Sequence, residues 1–413
     1  MFLIINVIFT SYIKNISNVG ECRLGRVMSE YYDVIIIGGG VAGLSTAANI
    51  TDEKVLLLEK DRIKTEEKKY LRFTYMDAVE RLGLSNSIIQ KYDKLSLRTI
   101  TNEKIEVSYY DDVLALVDLG KLHHNLKNYV EKKQEIREKS KVVDVKQYDD
   151  KLELKVLADG SEKIFYSKYL VDASGVNFFT RKKFNLTCPN FYCHCLESTN
   201  EGGYIGDEKT LTFVVPSERF KFGICIFPYE MNNYSIGLTD SSKLLSTPKK
   251  RYKEFIEQTK KNLGFDDILY EGEISNHQMG VLPMGLTAPM TFGRVCYVGD
   301  VLSQIAPWMV EGVRPIVEAS IMCSDAVSSA FKNQDVKLLE KYSNDWNSTY
   351  GEIYNRLNII DKWNRTTDVW LDSFKQMSKM ARIDKVKFLR FLEYDQMSKK
   401  AEMRLLNLKS MLE

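Results

Sequence analysis

Unbroken apolar runs alternate with amphipathic stretches along this chain. Val34-Ile35-Ile36-Ile37 and Val55-Leu56-Leu57-Leu58 have strand length and no polar face, the pattern of strands buried on both sides. Between them lies a glycine turn and a small-residue segment from Val41 to Asn49, so residues 33–59 read as strand, turn, helix, strand. Residues 70–84 and 121–133 carry apolar side chains at helical spacing. Residues 141–146, 151–157 and 163–170 read as strands around the turn Asp159-Gly160, which predicts an antiparallel insertion. Residues 190–240 are strand-rich: Leu211, Phe213 and Val215 share one face, and Phe220, Phe222, Ile224 and Ile226 alternate with Lys221, Gly223, Cys225 and Phe227. A sheet apolar on both faces is either buried between layers or lines an apolar cavity. From Leu339 the pattern turns helical again, through Tyr342, Trp346, Tyr350, Ile353, Leu357 and Ile360, a stripe read as core packing. No internal repeat or low-complexity tract interrupts these segments.

The first turn carries chemistry. Gly38, Gly40 and Gly43 follow the spacing in which the first glycine permits the tight turn, the second lets the backbone approach a pyrophosphate, and the third brings helix and strand together. Glu59 closes the unit 21 positions after Gly38, at a strand end where a carboxylate accepts hydrogen bonds from an adenosine ribose. Val41, Ala42 and Lys60 flank these positions and are counted with them. Two later stretches repeat the theme of a buried strand ending in small residues. Tyr169-Leu170-Val171-Asp172-Ala173-Ser174-Gly175 is the first, followed by Arg181-Lys182-Lys183; Arg294-Val295-Cys296-Tyr297-Val298-Gly299-Asp300 is the second. Pro307 to Pro315, with Glu311, Gly312 and Val313, then leads into a helix whose N-terminus favours negative charge. Ser174, Gly175, Gly299, Asp300, Pro307, Glu311, Gly312 and Val313 join the expected cofactor positions.

Composition removes several classes. The 413 residues hold 58 basic and 56 acidic side chains, a net charge of +2, which gives no footprint for nucleic acid. Seven cysteines without framework spacing fit a reduced, cytoplasmic protein. The apolar start Met1–Phe9 is too short to span a membrane and lacks the basic flank of a signal peptide. Met28 precedes the first strand directly, so residues 1–27 are expected to be an unstructured extension. Cys188, Cys193, His194 and Cys195 form one cluster where structural zinc wants two spaced pairs, and no metal is expected. His123-His124 reads as ordinary helix content. His277 and Cys225 are the weak catalytic candidates, His277 as a proton donor. Residues 385–392, basic and apolar, read as a packed terminal helix, with peripheral membrane contact as the alternative.

In the order of these segments the chain resembles the flavoprotein superfamily of p-hydroxybenzoate hydroxylase. Within it the likeness is greatest to the geranylgeranyl reductases, over residues 31–391. Ala173-Ser174-Gly175 matches an Ala-Thr-Gly turn, Gly299 and Asp300 the ribityl contact, and Pro307 and Gly312 the ends of a Pro-x-x-Gly-Gly-Gly loop. Val310 and Glu311 replace two glycines of that loop. Leu119 stands where the family carries Arg, and Phe227-Pro228 is what remains of its lipid-site motif. Residues 75–84, the Val171–Gly175 turn and Leu282-Pro283-Met284-Gly285 resemble the lycopene cyclases, a sister family that uses reduced FAD without net redox change. The resemblance implies noncovalent FAD and an α/β fold: a Rossmann-like cofactor domain assembled from residues 28–68, 115–180 and 275–330, a mixed α+β substrate domain from 69–114 and 181–274, and C-terminal helices over 331–413. It implies reduction of the double bonds of a long isoprenoid or other lipid chain. The electron donor would be external, a reduced nicotinamide or ferredoxin. Non-redox cyclisation and flavin-dependent hydroxylation are the alternatives, and a non-catalytic flavin-binding module is a third.

Overall fold

The computed structural model describes residues 30–65, 70–99, 103–109, 113–214, 223–242, 265, 267–269, 273–306, 310–351 and 354, with the isolated positions 378, 379, 382 and 383. Residues 1–27, Val215, Phe220, Phe222, Pro307, Ile353, Leu357, Ile360 and the 385–392 stretch lie outside them.

The two apolar runs become β1 (Glu30–Ile37) and β2 (Val55–Leu58), paired in parallel; on its other edge β1 pairs in parallel with β11 (Ser161–Asp172). β18 (Val295–Tyr297) and β17 (Thr291–Phe292) continue the sheet beyond β11, and β8 (Glu135–Arg137) closes it beside β2. A strand flanked by parallel partners exposes no polar edge and needs covering on both faces. The crossover helix α1 (Val41–Asn49) supplies one cover. The antiparallel excursion β9 (Ser140–Gln147), β10 (Leu152–Ala158) and β11 forms as expected, its turn made by Asp159 and Gly160, both at positive φ.

The second sheet has seven strands in the order β16 (Glu273–Pro283), β12 (Tyr192–Glu201), β15 (Asn233–Ser242), β14 (Gly223–Tyr229), β13 (Thr210–Val214), β5 (Lys94–Arg98) and β6 (Lys104–Ser108). A third, small sheet of β3 (Leu71–Tyr75), β7 (Leu114–Asp118) and β4 (Ile88–Tyr92) bridges the two.

The helical reading of residues 70–84 is half corrected. Leu71–Tyr75 is strand β3, paired residue by residue with β7, and only Met76–Arg81 is helix, α2. Phe73, Thr74 and Tyr75 are β-formers whose side chains pack between sheets, and that tertiary pairing overrides the spacing. α3 (Leu119–Glu131) forms where expected, capped by Asp118, whose carboxylate accepts from the backbone amides of Gly120 at 2.9 Å and Lys121 at 3.3 Å. A short α4 (Phe179–Lys183) follows β11, the last long helix is α5 (Val313–Asn333), and after a short turn comes α6 (Glu340–Trp346). The aromatic stripe is core as read: Tyr342 and Trp346 are fully buried, and Trp346 meets Tyr350 and Tyr354 at ring distances of 5.1 and 5.4 Å. No described helix is long and apolar enough to cross a membrane.

Candidate cofactor and substrate site

The glycine turn is built by close approaches. Gly38 has φ +108°, and a Cβ there would lie 2.3 Å from the Ala173 carbonyl oxygen. A Cβ on Gly43 would lie 1.9 Å from the Gly38 oxygen, so helix α1 sits against the turn as only glycine allows. Gly40 is different. It caps α1 at φ −82°, and a Cβ there would meet nothing within 4 Å. The protein leaves open the space that a pyrophosphate backed by the α1 amides would fill, at the start of which stand Val41 and Ala42. Glu59 is held at the end of β2 by the amides of Gly39 at 2.7 Å and Asp61 at 2.9 Å. Lys60 beside it is exposed and pairs with Asp61 at 3.3 Å.

The second turn is locked by a residue that sequence reading passed over. Asp172 is fully buried at the end of β11; its carboxylate accepts from the amides of Ser174 at 2.8 Å and Thr180 at 3.2 Å and from the Thr180 hydroxyl. This fixes Ser174 and Gly175, the latter at φ +68°, next to the first glycine turn. Arg181, expected to be part of a basic run beside the cofactor, is instead wholly buried, donating to the carbonyls of Thr187, Ala288 and Pro289 at 2.7–2.8 Å with its guanidinium over the Tyr297 ring. Gly299 is positioned from behind: its amide donates to Gln304 at 2.7 Å, Gln304 donates to Tyr342 at 2.9 Å, and Tyr342 donates to the Tyr297 carbonyl at 2.9 Å. At φ +85° Gly299 lies against Ala42 of α1 and Ile316 of α5.

The two helices run the same way. Ser320 donates to the Ala42 carbonyl at 3.2 Å and Ser324 to that of Thr46 at 3.1 Å, so matched steps along α5 and α1 proceed in parallel. Val313 precedes Ser320 by seven residues, which places the α5 N-terminus ~10 Å beyond that of α1 at ~1.5 Å per residue. The ordered path from Glu59 through Gly38–Gly43 to Gly299, Asp300 and then Gly312–Val313 suits a long dinucleotide with a ribose at one end and a charged ring at the other. Burial lifts the Asp300 carboxyl to about 6, although part of its surface stays accessible. The residues present therefore fit FAD.

Glu311 closes the path. Its Oε1 accepts from the Arg314 amide at 2.9 Å, and burial pushes its pKa up to about 7 against the pull of that amide, the Thr74 hydroxyl and the Arg314 charge. Because the folded pKa is above the unfolded 4.5, this carboxyl's contribution to stability is complete below about pH 4.5 and is lost as pH rises through 7. The shift corresponds to about 3 kcal/mol. Denaturation of the cofactor-free chain at pH 4.5 and 8 should show Glu311→Gln gaining on the wild type at the higher pH by an amount of that order; an unchanged difference would contradict the burial argument.

Opposite this path stands one face of the second sheet. The pairings Glu197 with Gly237, Cys225 with Gly237 and Gly280 with Cys195 put these residues on a common face, with Phe213 and Phe227 beside them. Phe73 of β3 packs on that face, 6.0 Å from the Phe227 ring and 5.6 Å from that of Phe213. Cys195, Phe213, Cys225, Gly237 and Gly280 all retain partial access, and a Cβ on Gly237 or Gly280 would meet nothing nearer than 3.8 Å. A hollow thus lies over a floor of glycine, cysteine and phenylalanine. Among the described residues, Arg72 of β3 pairs there with Glu197 of β12, and Ser235 donates to the other Glu197 oxygen at 2.7 Å. Burial raises the Glu197 pKa, with Arg72 and Ser235 pulling it back.

Of the strand whose two faces both read as apolar, Ile224 and Ile226 point away from the hollow into a closed core with Leu196, Tyr204, Ile236 and Phe265, and Cys225 and Phe227 face inward. His277 pairs with Ser198 at 2.8 Å on the same outward parity as Leu196, one strand position out of phase with the floor, and so does not reach the hollow as a proton donor. His123 is buried in α3 beside the Lys64 carbonyl at 3.1 Å, its pKa lowered by burial. Cys193 and Cys195 have their sulfurs 4.0 Å apart, and among the described residues no three His, Cys, Asp or Glu side chains are placed to hold a metal ion.

This architecture is shared with solved structures that include a flavin-dependent brominase, Bmp2, with a TM-score of 0.70 and 17% identity over 92% of this chain and 100% of that one. It superposes on a geranylgeranyl bacteriochlorophyll reductase-like protein from Thermoplasma acidophilum with a TM-score of 0.71 and 16% identity, over 85% of this chain and 91% of that one. On p-nitrophenol 4-monooxygenase PnpA from Pseudomonas putida the TM-score is 0.70 at 16% identity, over 88% and 98%. The model described as lycopene cyclase protein matches residues 33–406, and the chain belongs to that family. An uncharacterized protein of Methanocaldococcus jannaschii is 24% identical over 395 residues, 92% of this chain and 95% of that one. Of the two families the sequence resembles, the cyclases supply the matching model, and the geranylgeranyl reductase likeness is one of fold.

Proposed function

We propose that the protein is an FAD-dependent enzyme acting on carbon–carbon double bonds of an isoprenoid chain, reducing them with an external reduced nicotinamide or ferredoxin as electron donor. The observation that carries this reading is the hollow facing the cofactor path: its floor of Cys195, Cys225, Gly237 and Gly280 and its aromatic wall offer dispersion contact to an apolar chain and few polar groups for anything else. Reduced FAD supplies the hydride equivalent. Glycines 38, 40 and 43 and Glu59 bind it; Phe73, Phe213 and Phe227 exclude water and align the chain. Membership of the lycopene cyclase family favours a second reading, cyclisation without net redox change. Mass analysis of the product from a geranylgeranyl or polyene substrate separates them: two added hydrogens identify the reductase and an unchanged mass the cyclase, whereas one added oxygen would overturn both.

Gly237→Val should fill the hollow while leaving the cofactor path untouched. Turnover of a chain substrate is expected to fall at least tenfold with flavin content unchanged; undiminished turnover would remove the floor from the substrate site.

A further inference from the structure

Arg72 reaches from β3 over the floor of the hollow. Its Nη1 is engaged there: it donates to the Leu71 carbonyl at 2.6 Å and to one oxygen of Glu197, whose other oxygen accepts from Ser235 at 2.7 Å. The Tyr70 ring lies 4.2 Å from the guanidinium, and its hydroxyl can accept one more donor. A guanidinium carries five N–H donors, so with two spent at Nη1 and at most one on Tyr70, two are left on a side chain that stays partly exposed. Nη2 stands 3.9 Å from the point that a Cβ on Gly280 would take, and nothing else comes within 4 Å of that point. Gly280 is ordinary strand, paired with Cys195 and without a positive φ, so its backbone does not call for glycine. What the missing side chain provides is space in front of an arginine nitrogen.

Charge and valence restrict what fits that space. Glu197 already matches the Arg72 charge, and an anion brought to the same guanidinium would meet that carboxylate inside an apolar enclosure. Arginine donates and accepts nothing, and both Glu197 oxygens already accept, so the hydrogen of an alcohol would be left without an acceptor. A carbonyl oxygen takes the donors and brings none of its own. Resting on the reading of the hollow as the site of an apolar chain, we propose that Arg72 anchors the substrate by donating through Nη2 to a carbonyl oxygen borne by that chain, in the space that Gly280 leaves open. The substrate class is then an isoprenoid carrying a ketone or quinone carbonyl. Glu197 and Ser235 are positioning residues that hold the guanidinium over the floor.

The test is equilibrium dialysis of the full chain, supplied with FAD, against probes that share a geranylgeranyl chain: geranylgeranylacetone as the ketone, the parent hydrocarbon, and the diphosphate. Wild type is compared with Gly280→Ala, whose methyl group has room yet stands where the oxygen would sit, and with Arg72→Met combined with Glu197→Leu, which leaves no charge unmatched. Each variant should weaken ketone binding at least about tenfold, the loss of a hydrogen bond to a charged group, and leave hydrocarbon binding within about twofold. Equal weakening for ketone and hydrocarbon would be a loss of packing and overturns the anchor, as does a ketone affinity that does not move. A fall confined to the diphosphate overturns the carbonyl in favour of an anionic head. Wild type that binds the hydrocarbon but not the ketone overturns the anchor alone, whereas wild type that binds none of the probes overturns the reading of the hollow and the anchor with it. Where the double variant folds poorly, Gly280→Ala decides by the same comparison.

Discussion

Gly43→Ala is expected to lose about 3 kcal/mol of stability or more, the upper end for overpacking by one methyl group. The added carbon would sit 1.9 Å from the Gly38 carbonyl oxygen, and both partners are backbone, so no side chain can swing aside. Relief requires α1 to lift from β1. That lift breaks the small-residue seam in which Ser320 and Ser324 of α5 reach the Ala42 and Thr46 carbonyls, and it disturbs Gly299, which already lies 2.8 Å from Ala42 by the same measure. Chemical denaturation checks this directly, and a midpoint near that of the wild type would mean that helix and strand are not so closely apposed.

Arg72→Ala is expected to cost about 3–5 kcal/mol, because it strands Glu197 inside the molecule. The pair joins β3 to β12, with Glu197 buried, Arg72 28% exposed, and the guanidinium also stacked 4.2 Å from the Tyr70 ring. Without Arg72 the carboxyl must stay protonated, so the loss should be greater at pH 8 than at pH 5. The double variant Arg72→Met with Glu197→Leu should recover most of it, since two apolar groups of similar volume leave no charge unmatched. A small loss independent of pH, or no recovery in the double variant, would show that the pair is solvated.

What the sequence made legible is what is local. The strand, glycine turn, helix and strand from β1 to β2 lie within thirty residues, and each glycine's role follows from its spacing. The face of a strand is not local. Cys225 and Ile224 look alike in an apolar alternation, and only the register of β14 against β13 and β15 decides which one meets the hollow. The face of His277 is likewise set by register, that of β16 against β12. Asp172 and Gln304 gave a weaker signal still: the first is one acid at the end of an apolar run, the second one amide between Ser303 and Ile305, and each works through backbone amides that only the folded turn brings to it. Arg181 opens the basic run Arg181-Lys182-Lys183, yet it alone of the three turns inward. β3 failed as a helix because its partner, β7, lies forty residues on.

Gly40 is the residue at which cofactor binding and folding separate most cleanly. Its backbone at φ −82° accepts any side chain, and its missing Cβ faces open space, so valine there should disturb nothing but a bound pyrophosphate. The measurement is flavin content after reconstitution with FAD, read by absorbance in wild type and Gly40→Val alongside their melting temperatures. The account predicts stoichiometric FAD in the wild type, little or none in Gly40→Val, and the same melting temperature for the two cofactor-free proteins. Equal flavin content in both would contradict it.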